Sequence, residues 1–194
     1  MLKNKNYAII YKDKVTSSND YLKSLLKDRS PDREVFLIAA EQTDGRGQFE
    51  RKWLSHQGKG LYLSYLYFPP LERLPLINKE VALIIIGILK AYDIDAKIKL
   101  PNDIYVKGNK IAGILTESVL SGERVKGVVT GIGLNLFFER SDFEGARING
   151  TSMALETGIP VDRNKVAEAL IEGLRKLNIR EMEEIENEFE KHER

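Results

Sequence analysis

The chain has 194 residues, 42% of them hydrophobic and 30% charged, a composition typical of a folded globular protein that buries its core without cross-links. Lys and Arg number 30 and Asp and Glu 29, so the net charge of +1 gives no overall attraction for nucleic acid or an anionic membrane. The absence of cysteine excludes disulfides, thiolate metal sites and thiol nucleophiles, and two histidines are too few for a three-histidine metal site.

Hydrophobic periodicity and turn residues divide the chain into short elements. In chain order the patterns predict a strand over 7–11, a helix over 17–27, strands over 34–41 and 60–68, a helix over 76–92, strands over 96–100, 103–106 and 110–117, another strand within 125–138, and helices over 151–156, 163–177 and 180–192. Ser17 and Asp162 are placed to cap helices. Both faces of 60–68 are apolar, which predicts a central strand covered on both sides.

The order of these elements predicts an α+β fold, with a mixed, largely antiparallel sheet and helices packed on one side. The length predicts a single domain over residues 1–194. Residues 1–10 lack the apolar core of a signal peptide, and the longest apolar run, 81–89, is too short to cross a bilayer. We therefore expect a cytoplasmic protein whose chemistry uses Lys, Arg, carboxylates, hydroxyls or the backbone.

The first candidate site is the polar loop over residues 42–58, which contains Asp44-Gly45-Arg46-Gly47 and continues to Arg51-Lys52-Trp53. Glycines let backbone N–H groups approach an anion closely, and arginine adds a bidentate fork for carboxylate or phosphate. The loop matches neither the Walker A pattern nor the dinucleotide-binding G-x-G-x-x-G pattern. A flexible surface loop with scattered charges is the alternative interpretation.

Three further segments carry candidate residues. Lys99-Leu100-Pro101-Asn102-Asp103 places an amide and a carboxylate after a strand, although Asn and Asp are also ordinary turn residues. The hairpin that follows returns Lys110 near Asp103, so a lysine and a carboxylate can face one site; an exposed edge lysine is the alternative. Gly131 and Gly133 inside a strand indicate close approach of a ligand or a neighbouring element, or else a bulge.

In this order and spacing, the motifs resemble those of the biotin protein ligases. The matching segments are Val15-Thr16-Ser17-Ser18-Asn19, Gln-x-x-Gly-Arg-Gly from Gln42, Arg51-Lys52-Trp53, Lys-x-Pro-Asn-Asp from Lys99, Lys-Ile-Ala-Gly-Ile-Leu-x-Glu from Lys110, and Gly-Ile-Gly-x-Asn from Gly131. The resemblance extends from residue 15 to about residue 177 and so covers nearly all of the chain. It implies the catalytic-domain fold of the biotin and lipoate ligases.

The resemblance implies a two-step reaction that uses ATP, biotin and Mg²⁺. The biotin carboxylate attacks the α-phosphate of ATP to give biotinyl-5′-adenylate and pyrophosphate, and a lysine of a biotin carboxyl carrier protein then takes the biotinyl group and releases AMP. No enzyme nucleophile is required, which agrees with the absence of cysteine. Cations must offset the repulsion between carboxylate and polyphosphate. No nucleic acid or membrane partner is expected, while exposed strands in this family can pair into a homodimer.

The resemblance also assigns roles to individual residues. Lys110, Asp103 and Arg46 would be catalytic: Lys110 would contact the biotin carboxylate and an α-phosphate oxygen, Asp103 would orient or deprotonate the incoming lysine, and Arg46 would clamp anions. The biotin-binding set would be Ser17, Ser18, Gln42, Gly45, Trp53 and Gly113. The adenylate-binding set would be Gly47, Arg51, Asn102, Gly131, Gly133 and Asn135, with Asn135 at the adenine edge. No protein ligand to a metal is assigned.

The sequence departs from the family pattern at three points. The loop usually reads Gly-Arg-Gly-Arg-x-Gly-Arg, whereas here Gln48 replaces the second arginine and Glu50 the third glycine. A lost charge-assisted hydrogen bond is worth ~1.5–3 kcal/mol, so adenylate retention should weaken, although Glu50 could turn to solvent or pair with Lys52. Leu100 replaces the tryptophan of the usual Lys-Trp-Pro-Asn-Asp. Family members commonly carry a C-terminal SH3-like domain, and regulatory ones an N-terminal helix-turn-helix; we expect neither here.

Two other functions compete with the ligase. A non-catalytic biotin- or adenylate-binding module, a decayed ligase, would explain Gln48 and Glu50 but not the intact pair Lys110 and Asp103. A lipoate-type ligase or octanoyl transferase would share the fold but lack the Lys-x-Pro-Asn-Asp and Lys-x-Ala-Gly segments present here. Release of pyrophosphate on addition of biotin and ATP would distinguish an enzyme from a binding module.

Overall fold

The computed structural model of the chain describes residues 7–28, 31, 33–122, 124–146, 148–177 and 179–193, without the side chains of Asp28 and Glu50. The expectations for the Glu50 side chain therefore lie outside the described residues. The strands are β1 (Tyr7–Val15), β2 (Glu34–Gln42), β3 (Gly60–Tyr67), β4 (Lys97–Lys99), β5 (Asp103–Val106), β6 (Asn109–Ser121) and β7 (Arg124–Asn135). The helices are α1 (Ser18–Asp28), α2 (Ile77–Lys90), α3 (Arg140–Ala146), α4 (Met153–Glu156), α5 (Arg163–Leu174) and α6 (Met182–His192).

The strands form one seven-stranded sheet in the order β1-β2-β3-β7-β6-β5-β4. The pair β1 and β2 is parallel and connected through α1, whereas the other neighbouring strands are antiparallel. Every residue of β3 is buried, as its two apolar faces predicted. The α+β class with a mixed, largely antiparallel sheet is confirmed.

Helices cover both faces of this sheet, so the expectation of helices on one side holds only for part of the fold. Helices α2, α5 and α6 pack with Phe36 and Ile38 of β2 in the larger core. Helix α1 packs on the opposite face, where Leu22 and Leu26 contact residues that include Leu37. Because β2 and β3 carry apolar side chains on both faces, one helical layer would leave half of those side chains in water.

The observed ends of the elements differ from the predicted ones mainly where strands run into polar sequence. Strand β1 continues to Val15, through exposed residues that pair with β2 but carry no apolar signal. Strand β6 likewise extends to Ser121 along β7. Within the polar loop, the structure adds a short 3-10 turn over Gln48–Glu50. No helix in the described part of the chain is long and apolar enough to cross a membrane.

Candidate active site

A cavity of about 310 Å³ opens on the face of the sheet that carries α1. Its floor is formed by Gly113 of β6 and by Gly131 and Gly133 of β7. Its walls come from the start of α1, the polar loop after β2 and the corner before β5. The predicted site residues line this cavity with two exceptions, Gly45 and Asn135.

One end of the cavity is a network of polar side chains that bond to one another. Ser18 donates to Gln42 Oε1 from its backbone nitrogen at 2.8 Å and from its Oγ at 2.9 Å. Gln42 in turn donates from Nε2 to Ser55 Oγ at 3.2 Å. The hydroxyl of Ser64, which is fully buried in β3, lies 2.7 Å from Ser18 Oγ and 2.6 Å from Asn19 Oδ1. Such a network holds its donors and acceptors in fixed positions before a ligand binds.

Asn19 and Ser64 belong to this network, although neither was among the predicted site residues. The Asn19 amide donates from Nδ2 to Leu115 O at 3.1 Å and to Glu117 Oε2 at 2.8 Å, which ties α1 to β6. A signal was present for both residues, because Asn19 lies in the Ser-Asn motif and Ser64 interrupts an apolar strand. Ser17, predicted to bind biotin, also caps α1, since its Oγ accepts from Asp20 N at 3.3 Å.

Lys110 and Asp103 form an ion pair in the wall of the cavity. Lys110 Nζ lies 2.6 Å from Asp103 Oδ1, and the two side chains are only 26% and 20% exposed. The hairpin of β5 and β6 produces this contact because its register pairs Asp103 with Gly113 and, after an irregularity, Tyr105 with Lys110. The structure therefore brings the two side chains together as the hairpin predicted.

The backbone of Lys110 is held by the segment that follows α3. Lys110 N donates to Asn149 O at 3.0 Å, and Thr151 N donates to Lys110 O at 2.9 Å. Asn135, which is 6% exposed, donates from Nδ2 to Lys110 O at 3.3 Å and to Thr151 O at 2.9 Å. Asn135 thus lies beneath Lys110 and not in the lining of the main cavity. The corner before β5 is fixed similarly, since Asn102 Nδ2 donates to Ile114 O at 2.7 Å.

The floor glycines make room for side chains of the protein itself. A Cβ atom on Gly133 would lie 2.3 Å from Trp53 Cε2, and one on Gly113 would lie 2.8 Å from Trp53 Cζ3. A Cβ atom on Gly131 would lie 2.3 Å from Asn19 Oδ1. The expected close approach to these glycines is therefore made by an indole and a carboxamide, which then form the inner surface of the cavity.

Trp53 and Lys110 stand between the main cavity and a smaller one. The second cavity, of about 80 Å³, is lined by both residues together with Asn135, Phe143, Ile148 and others. Lys110 Nζ lies 5.0 Å from the centroid of the Trp53 ring, a cation–π distance. The two cavities together offer a polar end and an apolar end on either side of one ammonium group.

The polar loop is fixed both on itself and on α1. Gly47 N donates to Arg51 O at 2.7 Å, and the guanidinium of Arg46 forms an ion pair with Asp20 of α1. Gly45 does not reach the cavity, because it is packed inside the loop: a Cβ atom there would lie 3.0 Å from Gln42 Nε2. Its assignment to biotin stays a prediction, and in the structure its small size serves the packing of the loop.

Positive charge is concentrated at the cavity although the chain as a whole carries only +1. The charged side chains that line it are Asp103 and the basic Arg46, Arg51, Lys52, Lys99 and Lys110. Such a lining attracts an anionic ligand. Within the described ranges, no three His, Cys, Asp or Glu side chains are grouped so as to hold a metal ion.

The chain is similar in sequence to proteins of one known family. The model of the biotin/lipoate A/B protein ligase family matches residues 11–135. The bifunctional ligase/repressor BirA of Bacillus spizizenii is 33% identical over 167 residues, which are 84% of this chain and 51% of that protein. The chain belongs to the biotin/lipoate A/B protein ligase family. It spans about half the length of the curated relatives that it matches.

Solved structures of related proteins have the same fold. The biotin protein ligase of Aquifex aeolicus in complex with biotin and ATP matches 96% of this chain and 78% of its own, with a TM-score of 0.73 and 30% identity. The biotin protein ligase of Leishmania major in complex with biotinyl-5-AMP has a TM-score of 0.78 over 96% of this chain and 81% of its own, at 21% identity. The latter likeness supports the fold alone.

Proposed function

We propose that this chain is the catalytic part of an ATP-dependent biotin protein ligase, which forms biotinyl-5′-AMP and transfers the biotinyl group to a lysine of a biotin carboxyl carrier protein. Family membership and the names of the relatives support the class of reaction. The observation that carries the proposal is the position of the ion pair between Lys110 and Asp103, beside a polar cavity and next to a smaller apolar one.

In the first step, an oxygen of the biotin carboxylate attacks the α-phosphorus of ATP and the bond to pyrophosphate breaks. Ser18 and Gln42 would bind the polar ring of biotin, since they offer hydroxyl and amide groups at fixed positions. Lys110 would contact both the carboxylate and an α-phosphate oxygen, because it stands between the two cavities. Arg46 and Arg51 would offset the charge that accumulates on the phosphoryl oxygens.

In the second step, the amine of the acceptor lysine attacks the acyl carbon, the bond from that carbon to AMP breaks, and the nitrogen loses a proton. Asp103 is the carboxylate among the described residues that line the cavity. It would orient the amine and take up the proton. Its contact with Lys110 keeps the two groups in one place for both steps.

The adenine would lie in the smaller cavity, against Trp53, Phe143 and Ile148. Asn135 uses its amide donors on two backbone carbonyls, so its Oδ1 would be the atom that accepts from the adenine amino group. Mg²⁺ would arrive on the phosphates of ATP, since Mg²⁺ commonly binds through substrate phosphates and few protein carboxylates. When bound, it would supply further neutralisation of the phosphate charge.

Two finer points belong to the same proposal. Gln48 lines the cavity where the family has an arginine, so we expect the adenylate to leave faster than from a relative with the full arginine loop. A homodimer would form by pairing of sheet edges, and β1 is an edge strand of nine residues. Sedimentation equilibrium with and without biotin and ATP tests this association; a single monomeric species in both samples would contradict it.

The experiment that tests the function is incubation of the purified chain with Mg-ATP, radiolabelled biotin and a biotin-carrier domain. Free adenylate and label on the carrier lysine are scored separately. The variant K110M is expected to form the adenylate at least a hundredfold more slowly, because a charge-assisted contact made in the transition state is removed. K107M is the matched control, since Lys107 lies on the same hairpin but is 80% exposed and pairs with Glu156.

The outcomes separate the competing functions. Label on the carrier that depends on Lys110 and not on Lys107 supports the ligase. Biotin that binds without any pyrophosphate release would instead indicate the decayed binding module. Labelling with lipoate and not with biotin would indicate the lipoate-type ligase.

A further inference from the structure

Arg46 is part of a charge network that leaves the cavity and ends on β6. Its guanidinium pairs with Asp20, and Lys23 Nζ lies 2.9 Å from Asp20 Oδ1 and 2.6 Å from Glu117 Oε1. Burial alone would lower the pKa of Lys23, but its hydrogen bonds to Glu117 and Asp20 outweigh that effect and the pKa is raised. Two basic and two acidic side chains thus alternate from the polar loop to the sheet.

The pairing occupies only one side of the Arg46 guanidinium. The contact to Asp20 is made by Nη2. Arg46 Nε is buried and has no hydrogen-bond partner among the described residues, while the side chain lines the cavity. Arg46 is therefore fixed by α1 at Nη2, while its side chain, 34% exposed, still lines the cavity that an anion would enter.

We propose that Asp20 is a positioning residue for the adenylate. Asp20 holds Arg46, and with it the polar loop, so that the free donors of the guanidinium meet the acyl-phosphate group. The proposal rests on the proposed function for the identity of that anion. The sequence motifs alone do not point to Asp20, because an acidic residue in the first turn of a helix is explained equally well by the helix dipole.

The opposite role, competition between Asp20 and the phosphate for Arg46, fits the geometry less well. Exchange would be needed only if Asp20 and the ligand required the same nitrogen, whereas Asp20 contacts Nη2 of an Arg46 side chain that still lines the cavity. The planar fork of arginine can bind two partners through different nitrogens at once. The arrangement therefore favours simultaneous contact over exchange.

The test is the release rate of preformed biotinyl-adenylate from the chain and its variants. D20N removes the charge and keeps the shape, and D13N is the matched control because Asp13 is an exposed aspartate on β1, away from this cavity. Asp20 is 44% exposed, so the effect should be that of a partly exposed ion pair. We expect D20N to release the adenylate about fivefold faster, and D13N to match the unchanged chain. D20E keeps the charge and should release the adenylate at nearly the rate of the unchanged chain.

A double-mutant cycle with R46Q shows whether Asp20 acts through Arg46. The release rates of R46Q and of D20N/R46Q are expected to be equal. A fivefold effect that persists in the R46Q background would overturn the proposal, as would an unchanged or slower release from D20N.

Hydrogen exchange distinguishes this proposal from the proposed function. The amides of Gly47 and Trp53 donate within the polar loop, at 2.7 Å and 2.8 Å, and should exchange faster in D20N than in D13N. If the unchanged chain makes no adenylate, the proposed function fails, and this exchange still decides whether Asp20 holds the loop. Equal exchange in both variants overturns that role.

Discussion

The substitution G133A is predicted to displace the indole of Trp53 from the floor of the cavity. The added Cβ would lie 2.3–2.5 Å from three indole atoms, Cε2, Cζ2 and Nε1. Ordinary carbon contacts are about 3.5–4.0 Å, so the ring must retreat by about 1 Å or more. Overpacking of this kind costs about 1–3 kcal/mol, which corresponds to a fall in Tm of roughly 2–12 °C for a chain of this size.

Fluorescence gives a direct readout, because Trp53 is the only tryptophan in the sequence. In G133A we expect a red-shifted emission, stronger quenching by acrylamide and weaker binding of biotin and ATP, since the ring would intrude on both cavities. G127A is the matched control on the same strand, where a Cβ would lie 3.0 Å from the flexible end of Leu26. Unchanged emission from G133A, with a Tm equal to that of the unchanged chain, would refute the placement of the indole on Gly133.

Three further predictions follow from the buried polar groups and from the loop. S64A removes a fully buried hydroxyl that is hydrogen-bonded to Ser18 and Asn19, so urea unfolding should show a free energy of unfolding lower by about 1–3 kcal/mol. A decrease below about 0.5 kcal/mol would contradict the network. Burial raises the pKa of Tyr62 to about 12, so its neutral form stabilises the fold below about pH 10. This stabilisation, about 3 kcal/mol, is lost as the pH rises through 12. Alkaline unfolding monitored by tyrosinate absorbance, with Y62F as the comparison, checks this; equal pH dependence of the two proteins would contradict it. Q48R is expected to slow adenylate release by roughly ten- to hundredfold in a chase experiment, and an unchanged rate would show that position 48 does not contact the phosphate.

The sequence could predict the features that depend on residues close together in the chain, namely the strands and the hairpin before Lys110. The apolar runs identify the strands, and the short hairpin before Lys110 places it beside Asp103. The polar loop is also predictable as a site, because it is long, rich in glycine and free of hydrophobic period. The single-domain prediction, without a helix-turn-helix or SH3-like domain, stays a prediction.

The features that escaped prediction depend on pairing between distant strands. Asn19 meets Ser64 and Leu115 only because the sheet order places β3, β7 and β6 side by side beneath α1. A single serine in an apolar strand, or an aspartate in a first helical turn, marks a position but does not indicate which residue it meets. Likewise, only the register that sets Gly113 opposite Gly133 shows that an indole covers both.

The sheet separates the larger apolar cluster from the cavity. The larger apolar cluster lies on the side of α2, α5 and α6, whereas the reactive groups lie on the side of α1. Successive residues of β7 alternate between these sides: the Ile132 side chain packs in the larger cluster, whereas a Cβ on Gly131 or Gly133 would meet Asn19 or Trp53 on the cavity side. Because the two sets of side chains leave the sheet in opposite directions, a residue on the cavity face of β7 can be exchanged without direct contact with the larger apolar cluster.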